Sequence, residues 1–144
     1  MGGSAAIDAG HHSAPDLPST DFAGNPRIVN GNGGPKAIVE MGANEFLPVI
    51  LTPKTLNFAL QVVGSTTVKT VTLTNAQNQS LDISSKTVPT GLQGKRCGTS
   101  VAASSSCSLT VTFHIDDWIV QGTLTVNDDA GNSPQTVSLS GSAQ

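Results

Sequence analysis

The chain has no tyrosine, one tryptophan, four phenylalanines and two cysteines, and only 12% of its 144 residues are charged. Each scarcity removes a class of function. Seven Lys and Arg are scattered among ten Asp and Glu, for a net charge of −3. Nucleic-acid binding needs clustered cations to neutralise phosphates, so no nucleic acid is expected as a partner. No apolar run reaches the roughly 18 residues of a membrane-crossing helix. The opening Met1-Gly2-Gly3-Ser4 lacks the basic start and apolar stretch of a secretory signal, and leaves localisation open. A sugar-binding face usually presents several aromatic rings, which makes polysaccharide a weak candidate partner. Cys97 and Cys107 have no second pair to complete a zinc site and no adjacent His to act as a base. A disulfide and two free thiols both remain open at this point; a disulfide would mark an oxidising compartment. Gly-x-Ser-x-Gly, His-Glu-x-x-His and glycine-rich phosphate loops are all missing, so the chain is expected to be no enzyme and to carry no cofactor.

What the chain has in abundance is hydroxyl: 16 Ser and 16 Thr. Thr favours pleated, half-buried surfaces, and the composition leans towards strands. The character of the sequence changes at Leu47-Pro48. Residues 1–47 hold Pro15, Pro18, Pro26 and Pro35 with many glycines and little apolar periodicity, a loop-rich extension. From Val49 the period is two. Leu56 and Phe58 alternate, then Val71 and Leu73, Leu81 and Ile83, then Leu109, Val111 and Phe113, then Leu124 and Val126, and last Val137 and Leu139. The residues between them are largely Thr, Ser and Asn, as one buried and one wet face require. Turn-formers separate the runs, among them Asp128-Asp-Ala-Gly-Asn132, which is expected to join two antiparallel strands. The pattern predicts an all-β, immunoglobulin-like antiparallel sandwich of about seven strands over residues 48–144, preceded by an irregular N-terminal extension.

Leu51-Thr-Pro-Lys-Thr-Leu-Asn-Phe58, Val71-Thr-Leu-Thr-Asn75, Ser106-Cys-Ser-Leu-Thr-Val-Thr-Phe113 and Ser133-Pro-Gln-Thr-Val-Ser-Leu-Ser-Gly141 resemble the ASH/MSP-like immunoglobulin domains that recur in bacterial secreted and surface proteins. That resemblance covers nearly all of residues 49–141. It implies a sandwich, contacts with other protein domains or neighbouring repeats, and pairing of Cys97 with Cys107. The sequence departs from the family pattern after Phe113, at His114-Ile-Asp-Asp-Trp-Ile-Val120. Ala6-Ile-Asp-Ala-Gly10, Asp21-Phe-Ala-Gly-Asn-Pro-Arg27 and Glu40-Met-Gly-Ala-Asn-Glu-Phe46 resemble the closing coil of pectate-lyase-like right-handed β-helix proteins. Without a coil to stack on, this segment is expected to be loosely ordered or to drape over the sandwich through Ile28, Ile38, Val39 and Phe46.

Several residues merit weighing as sites. Trp118, with Ile119 beside it, is either an exposed interface anchor or a plug for one end of the sandwich. Asp21 to Asn25 and Asp128 to Asn132 offer oxygens, but neither has the alternating acids of a calcium loop, and turn chemistry accounts for both. His11, His12 and His114 lack metal-ligand spacing and read as solvated side chains. Asn78-Gln-Ser80 matches a glycosylation acceptor, a tripeptide that arises readily by chance. The expected role is a non-catalytic structural or protein-interaction module of a secreted or cell-surface bacterial protein. The alternative is an accessory domain of a polysaccharide-active β-helix enzyme whose active site lies outside this chain.

Overall fold

A period of two places alternate side chains on opposite faces of a strand, so a sequence that alternates apolar with Thr or Ser needs a second sheet to cover its apolar face. The computed structural model, which describes residues 5–11, 13–31, 36–42, 44–89, 92–95, 97–114 and 119–144, realises that requirement. In chain order its strands are β1 (Ile28–Val29), β2 (Ile38–Val39), β3 (Val49–Thr52), β4 (Thr55–Gln61), β5 (Thr66–Asn75), β6 (Leu81–Thr87), β7 (Leu92–Lys95), β8 (Ser100–Val101), β9 (Ser105–His114), β10 (Ile119–Asp128) and β11 (Gln135–Ala143). Among the described residues there is no helix. One sheet has the order β4-β11-β10-β6-β8 and the other β3-β5-β9-β7, while β1 and β2 form a separate pair.

Among the described residues nine sandwich strands stand where about seven were expected, and two interruptions account for much of the excess. Pro53 has no N–H to give a ladder and fixes its own φ, so the first strand leaves one sheet there and continues in the other: β3 pairs with β5, whereas β4 lies alongside β11. That second pairing is parallel, the one departure from an otherwise antiparallel arrangement among these strands. The second interruption falls between β7 and β8, where the chain crosses from the sheet of β9 to the sheet of β6.

Each expected apolar row is buried. Val49, Leu51, Val71, Leu73, Leu109, Val111 and Phe113 from one sheet meet Leu56, Phe58, Leu81, Ile83, Leu124, Val126, Val137 and Leu139 from the other in a single core. Burying one such aliphatic or aromatic side chain is worth about 1.5–3 kcal/mol. Phe58 and Phe113 stack with ring centroids 5.0 Å apart. Gly141 makes that stack possible, because a Cβ there would lie 2.8 Å from Phe113 Cζ. Asn75 closes the row at the end of β5 although fully buried. Its Nδ2 donates to the carbonyls of Gln79, Val101 and Ala102 at 2.8, 3.1 and 3.1 Å, and its Oδ1 accepts the Gln77 N–H at 3.1 Å.

The N-terminal segment has a hydrogen-bond network of its own. Gly10 N–H donates to Val39 O at 2.7 Å, Met41 N–H to Ala6 O at 3.1 Å and Arg27 N–H to Ser19 O at 3.0 Å, so stretches distant in sequence run side by side. Val29 and Val39 are buried, yet outside the sandwich core. Of the four residues expected to drape over the sandwich, Val39 is buried, Ile38 and Phe46 are half-buried, and Ile28 points outward at 45% exposure. The physical reason is the strand period: in β1 it is Val29 that turns inward, leaving its neighbour on the wet face.

Candidate functional site

Two places in the structure gather side chains that sequence alone leaves scattered: the crossover between the sheets, and the seam where the N-terminal segment meets the sandwich. At the crossover, Cys97 and Cys107 are joined in a disulfide with Cα atoms 5.5 Å apart. Cys107 sits on β9 opposite Leu73, so the bridge ties the crossing chain to the centre of the four-stranded sheet. Lys86 on β6 holds the same stretch from the other side, its ammonium donating to Cys97 O at 2.6 Å and Gly98 O at 2.7 Å. Two independent clamps thus fix a ten-residue excursion.

The seam is built from turns. The Asp21 carboxylate accepts the Asn25 N–H at 2.8 Å and the Glu45 N–H at 2.9 Å, while Gly24, at φ +85°, lets the turn close. The Glu45 carboxylate accepts the Glu40 N–H at 3.1 Å and faces Arg27 Nε at 3.4 Å. Desolvation by burial pushes both Glu45 and Glu40 above the ordinary carboxyl value of 4.5, against the backbone N–H groups and Arg27 that favour their charged forms. Desolvation acts upward on Asp21 too, but the N–H groups of Glu45, Asn25 and Ala23 and the Asn25 amide together outweigh it and hold the carboxyl below 3.8. These acids serve as acceptors that brace loops.

The sandwich's side of the seam is the turn between β10 and β11. Asp128 accepts the Ala130 N–H at 3.1 Å on its carboxylate and donates its own backbone N–H to Ser133 Oγ at 2.9 Å, and burial raises the carboxyl pKa above 3.8. Asp129 braces the neighbouring strand, accepting the Asp82 N–H at 2.9 Å. Gly131 lies against Asn30 so closely that a Cβ would stand 2.5 Å from both the Cβ and the carbonyl oxygen of Asn30. Asn132 reaches back to the first strand, its Nδ2 donating to Val49 O at 2.7 Å. Between the two sides lies a cleft of about 400 Å³, with Pro26, Ile28 and Leu47 on one wall and Lys54, Asn132 and Thr136 on the other.

Trp118 lies outside the described residues, and Ile119 opens β10 opposite Ser142. His11 is exposed, His12 lies outside the described residues, and His114 closes β9 opposite Thr66. Both acid-bearing turns are occupied with backbone N–H groups, and among the described residues no three of His, Cys, Asp and Glu are grouped to hold a metal ion. Asn78 is exposed in the turn before β6. Sequence reasoning missed Arg27, Asn30, Glu40, Glu45 and Gly131. Their signal is spatial, and only the Gly in Asp-Asp-Ala-Gly-Asn hinted at a tight spot.

No family model matches the chain, and no curated protein matches it. Solved structures do. An ASH/PapD-like domain of human CEP192 matches at TM-score 0.54 and 12% identity, over 67% of this chain and 85% of that one. SSP-19, an MSP-domain-like protein of Caenorhabditis elegans, matches at 0.51 and 14%, over 65% and 98%. The VesB protease of Vibrio cholerae matches at 0.52 and 14%, over 67% of this chain but only 32% of the protease, so this chain spans about a third of that protein's length. At such identities the likeness is one of fold: an immunoglobulin-like β-sandwich, as in the ASH/PapD-like and MSP-like neighbours.

Proposed function

We propose that the chain is a non-catalytic connecting module of a secreted or cell-surface protein, in which the sandwich holds what precedes it in a fixed orientation and contacts other protein domains. The observation that carries this reading is the seam: Gly131 packs on Asn30 with no room for a side chain. A flexible tether has no need of so close an approach. The disulfide supports an oxidising compartment, and the bracing roles of Asp21, Glu45 and Asp129 leave those carboxylates committed to backbone N–H groups. The ASH/MSP-like fold of the neighbours accords with a protein-contact surface. On this reading residues 1–47 end a β-helix-like unit and residues 48–144 form the module. Removing residues 48–144 from the parent protein is expected to lower its secretion or assembly while leaving the specific activity of the secreted molecules intact. Product release from acidic polysaccharides by the 144-residue chain alone would overturn the reading.

A further inference from the structure

By the period of two, β4 should keep turning every second side chain inward after Leu56 and Phe58, which would bury Leu60 beside them. Instead Leu60 is 56% exposed. The cause is an extra residue. Asn57 pairs with Ser140 and Leu60 with Ser142, so β4 takes three steps where β11 takes two, and Ala59 absorbs the difference at φ +56°. That left-handed conformation is strained for a residue with a Cβ. It turns Leu60 out and Gln61 in, where the Gln61 amide donates to Phe58 O at 2.7 Å and accepts the Thr67 hydroxyl at 2.7 Å.

The outturned leucine completes an apolar collar. Val62, in the turn that follows, is 72% exposed, and Val63 and Val68 are each more than half exposed. Leu60 lies on the outer face of the five-stranded sheet and Val68 on the outer face of the four-stranded one, so the collar runs round the β4–β5 tip from one side of the sandwich to the other. No charged residue falls between Lys54 and Lys69. The backbone N–H groups of Ala59, Val63 and Ser65 donate to Asn57 Oδ1, Gln144 O and Val62 O at 2.7, 3.3 and 3.0 Å, so each already has a partner within the chain. An apolar medium offers such groups no replacement for water, and a tip that enters one needs them met beforehand.

We propose that this tip dips into the surface of a zwitterionic lipid bilayer, holding the module at a membrane face without crossing it. The shape of the patch selects the occupant. A flat protein surface would cover Leu60 or Val68 but not both, since they stand on opposite faces of the sandwich, and four side chains fall short of the roughly 20–30 residues that a stable interface gathers on each side. A fluid layer closes round a convex tip from every side and needs no matching shape. The surface is zwitterionic because of charge nearby in the sequence. Asp116 and Asp117 fall between β9 and β10, which end and begin beside the tip at His114, opposite Thr66, and at Ile119, opposite Ser142. An anionic surface would be repelled by them. The proposal goes beyond the connecting role, which rests on the seam at the other end of the strands, so either can fail alone.

Flotation of the whole 144-residue chain with phosphatidylcholine vesicles tests it. The chain is expected to rise with the vesicles at about 0.1 and about 0.5 M salt alike, because apolar insertion is not screened. Leu60→Ser together with Val62→Ser is expected to lower the partition coefficient at least about tenfold. Both side chains are exposed, so the thermal midpoint of the free chain should stay where it is. Phe22→Ser, which removes the most exposed apolar side chain of the N-terminal segment, is expected to leave partition unchanged. A chain that stays with the buffer, a double variant that partitions equally well, a requirement for phosphatidylserine, or a loss as large in Phe22→Ser each overturns the proposal. Sedimentation velocity without lipid covers the protein alternative. Association that grows with concentration and vanishes in the double variant assigns the tip to a second copy of this chain, and overturns the proposal too.

Discussion

The seam yields a sharp test at Gly131. Its φ lies outside the left-handed region, so alanine there meets no backbone penalty, and the entire effect is steric. The new methyl would stand 2.5 Å from Asn30 Cβ and 2.5 Å from Asn30 O, with Asn30 Cα at 3.1 Å. Ordinary carbon contacts begin near 3.5 Å, so the two surfaces must part by about 1 Å. Two of the three obstructing atoms are backbone, which no rotamer change moves. Overpacking of this kind costs about 1–3 kcal/mol. Because the clash falls on the seam and not in the sandwich core, its relief lies in releasing the N-terminal segment.

Hydrogen exchange on the intact chain reads this directly. In Gly131→Ala, amides at Val29, Asn30 and Gly31 are expected to exchange about 5- to 150-fold faster, the equivalent of that energy, while Val111 and Leu124 in the core keep their protection. Gly24→Ala is the contrasting control: nothing lies within 4 Å of its Cβ, but its φ of +85° costs an L-residue about 1–2 kcal/mol. It should loosen the Asp21 turn and leave the contact at Gly131 in place. Unchanged exchange at the seam in Gly131→Ala, or uniform acceleration across core and seam alike, refutes the idea that this glycine sets the junction.

Replacing both Cys97 and Cys107 by Ser should destabilise the sandwich by about 2–3 kcal/mol in urea denaturation, as a loop of this size predicts, and mass spectrometry after alkylation without reductant should find neither thiol modified in the parent. Asn75→Ala strands the carbonyls of Val101 and Ala102 and should cost at least about 1–3 kcal/mol, whereas Asn78→Ala, in the exposed turn, should change the midpoint by no more than about 0.5 kcal/mol. The N-terminal segment should also respond to pH in two opposite ways. Glu40 and Glu45 have folded values raised above 4.5, so the folded state holds protons that the unfolded chain has released, and stability falls as pH rises through the window that opens at 4.5. Asp21, lowered below 3.8, contributes stability that is present above 3.8 and lost as pH falls through its folded value. Protection of the Glu45 amide, corrected for intrinsic exchange, should therefore peak near 4; a steady rise from pH 4 to 7 would contradict it.

The sequence and the structure agree where a local period carries the information. Leu56 with Phe58, or Leu109 with Val111 and Phe113, announce a buried face because strand geometry repeats every two residues whatever the partner is. Partnership itself has no such period. Pro53 in Leu51-Thr-Pro-Lys marks a break in the strand but does not say that the chain continues in the other sheet, because that depends on β11 arriving to pair with β4 some eighty residues later. The same holds more strongly at the seam. Asp21 and Glu45 are 24 residues apart, and Asn30 and Gly131 about a hundred, in segments without repeating pattern. In Asp128-Asp-Ala-Gly-Asn132 the local reading of a hairpin turn is correct, since β10 and β11 are joined there, but it exhausts the local signal. That Gly131 also receives Asn30, and that Asn132 also fastens Val49, are consequences of which surfaces meet. Turn residues chosen for conformational freedom are small and polar, and those same properties let another segment approach closely and bond to them, which is why junctions gather at turns that a sequence marks only as punctuation.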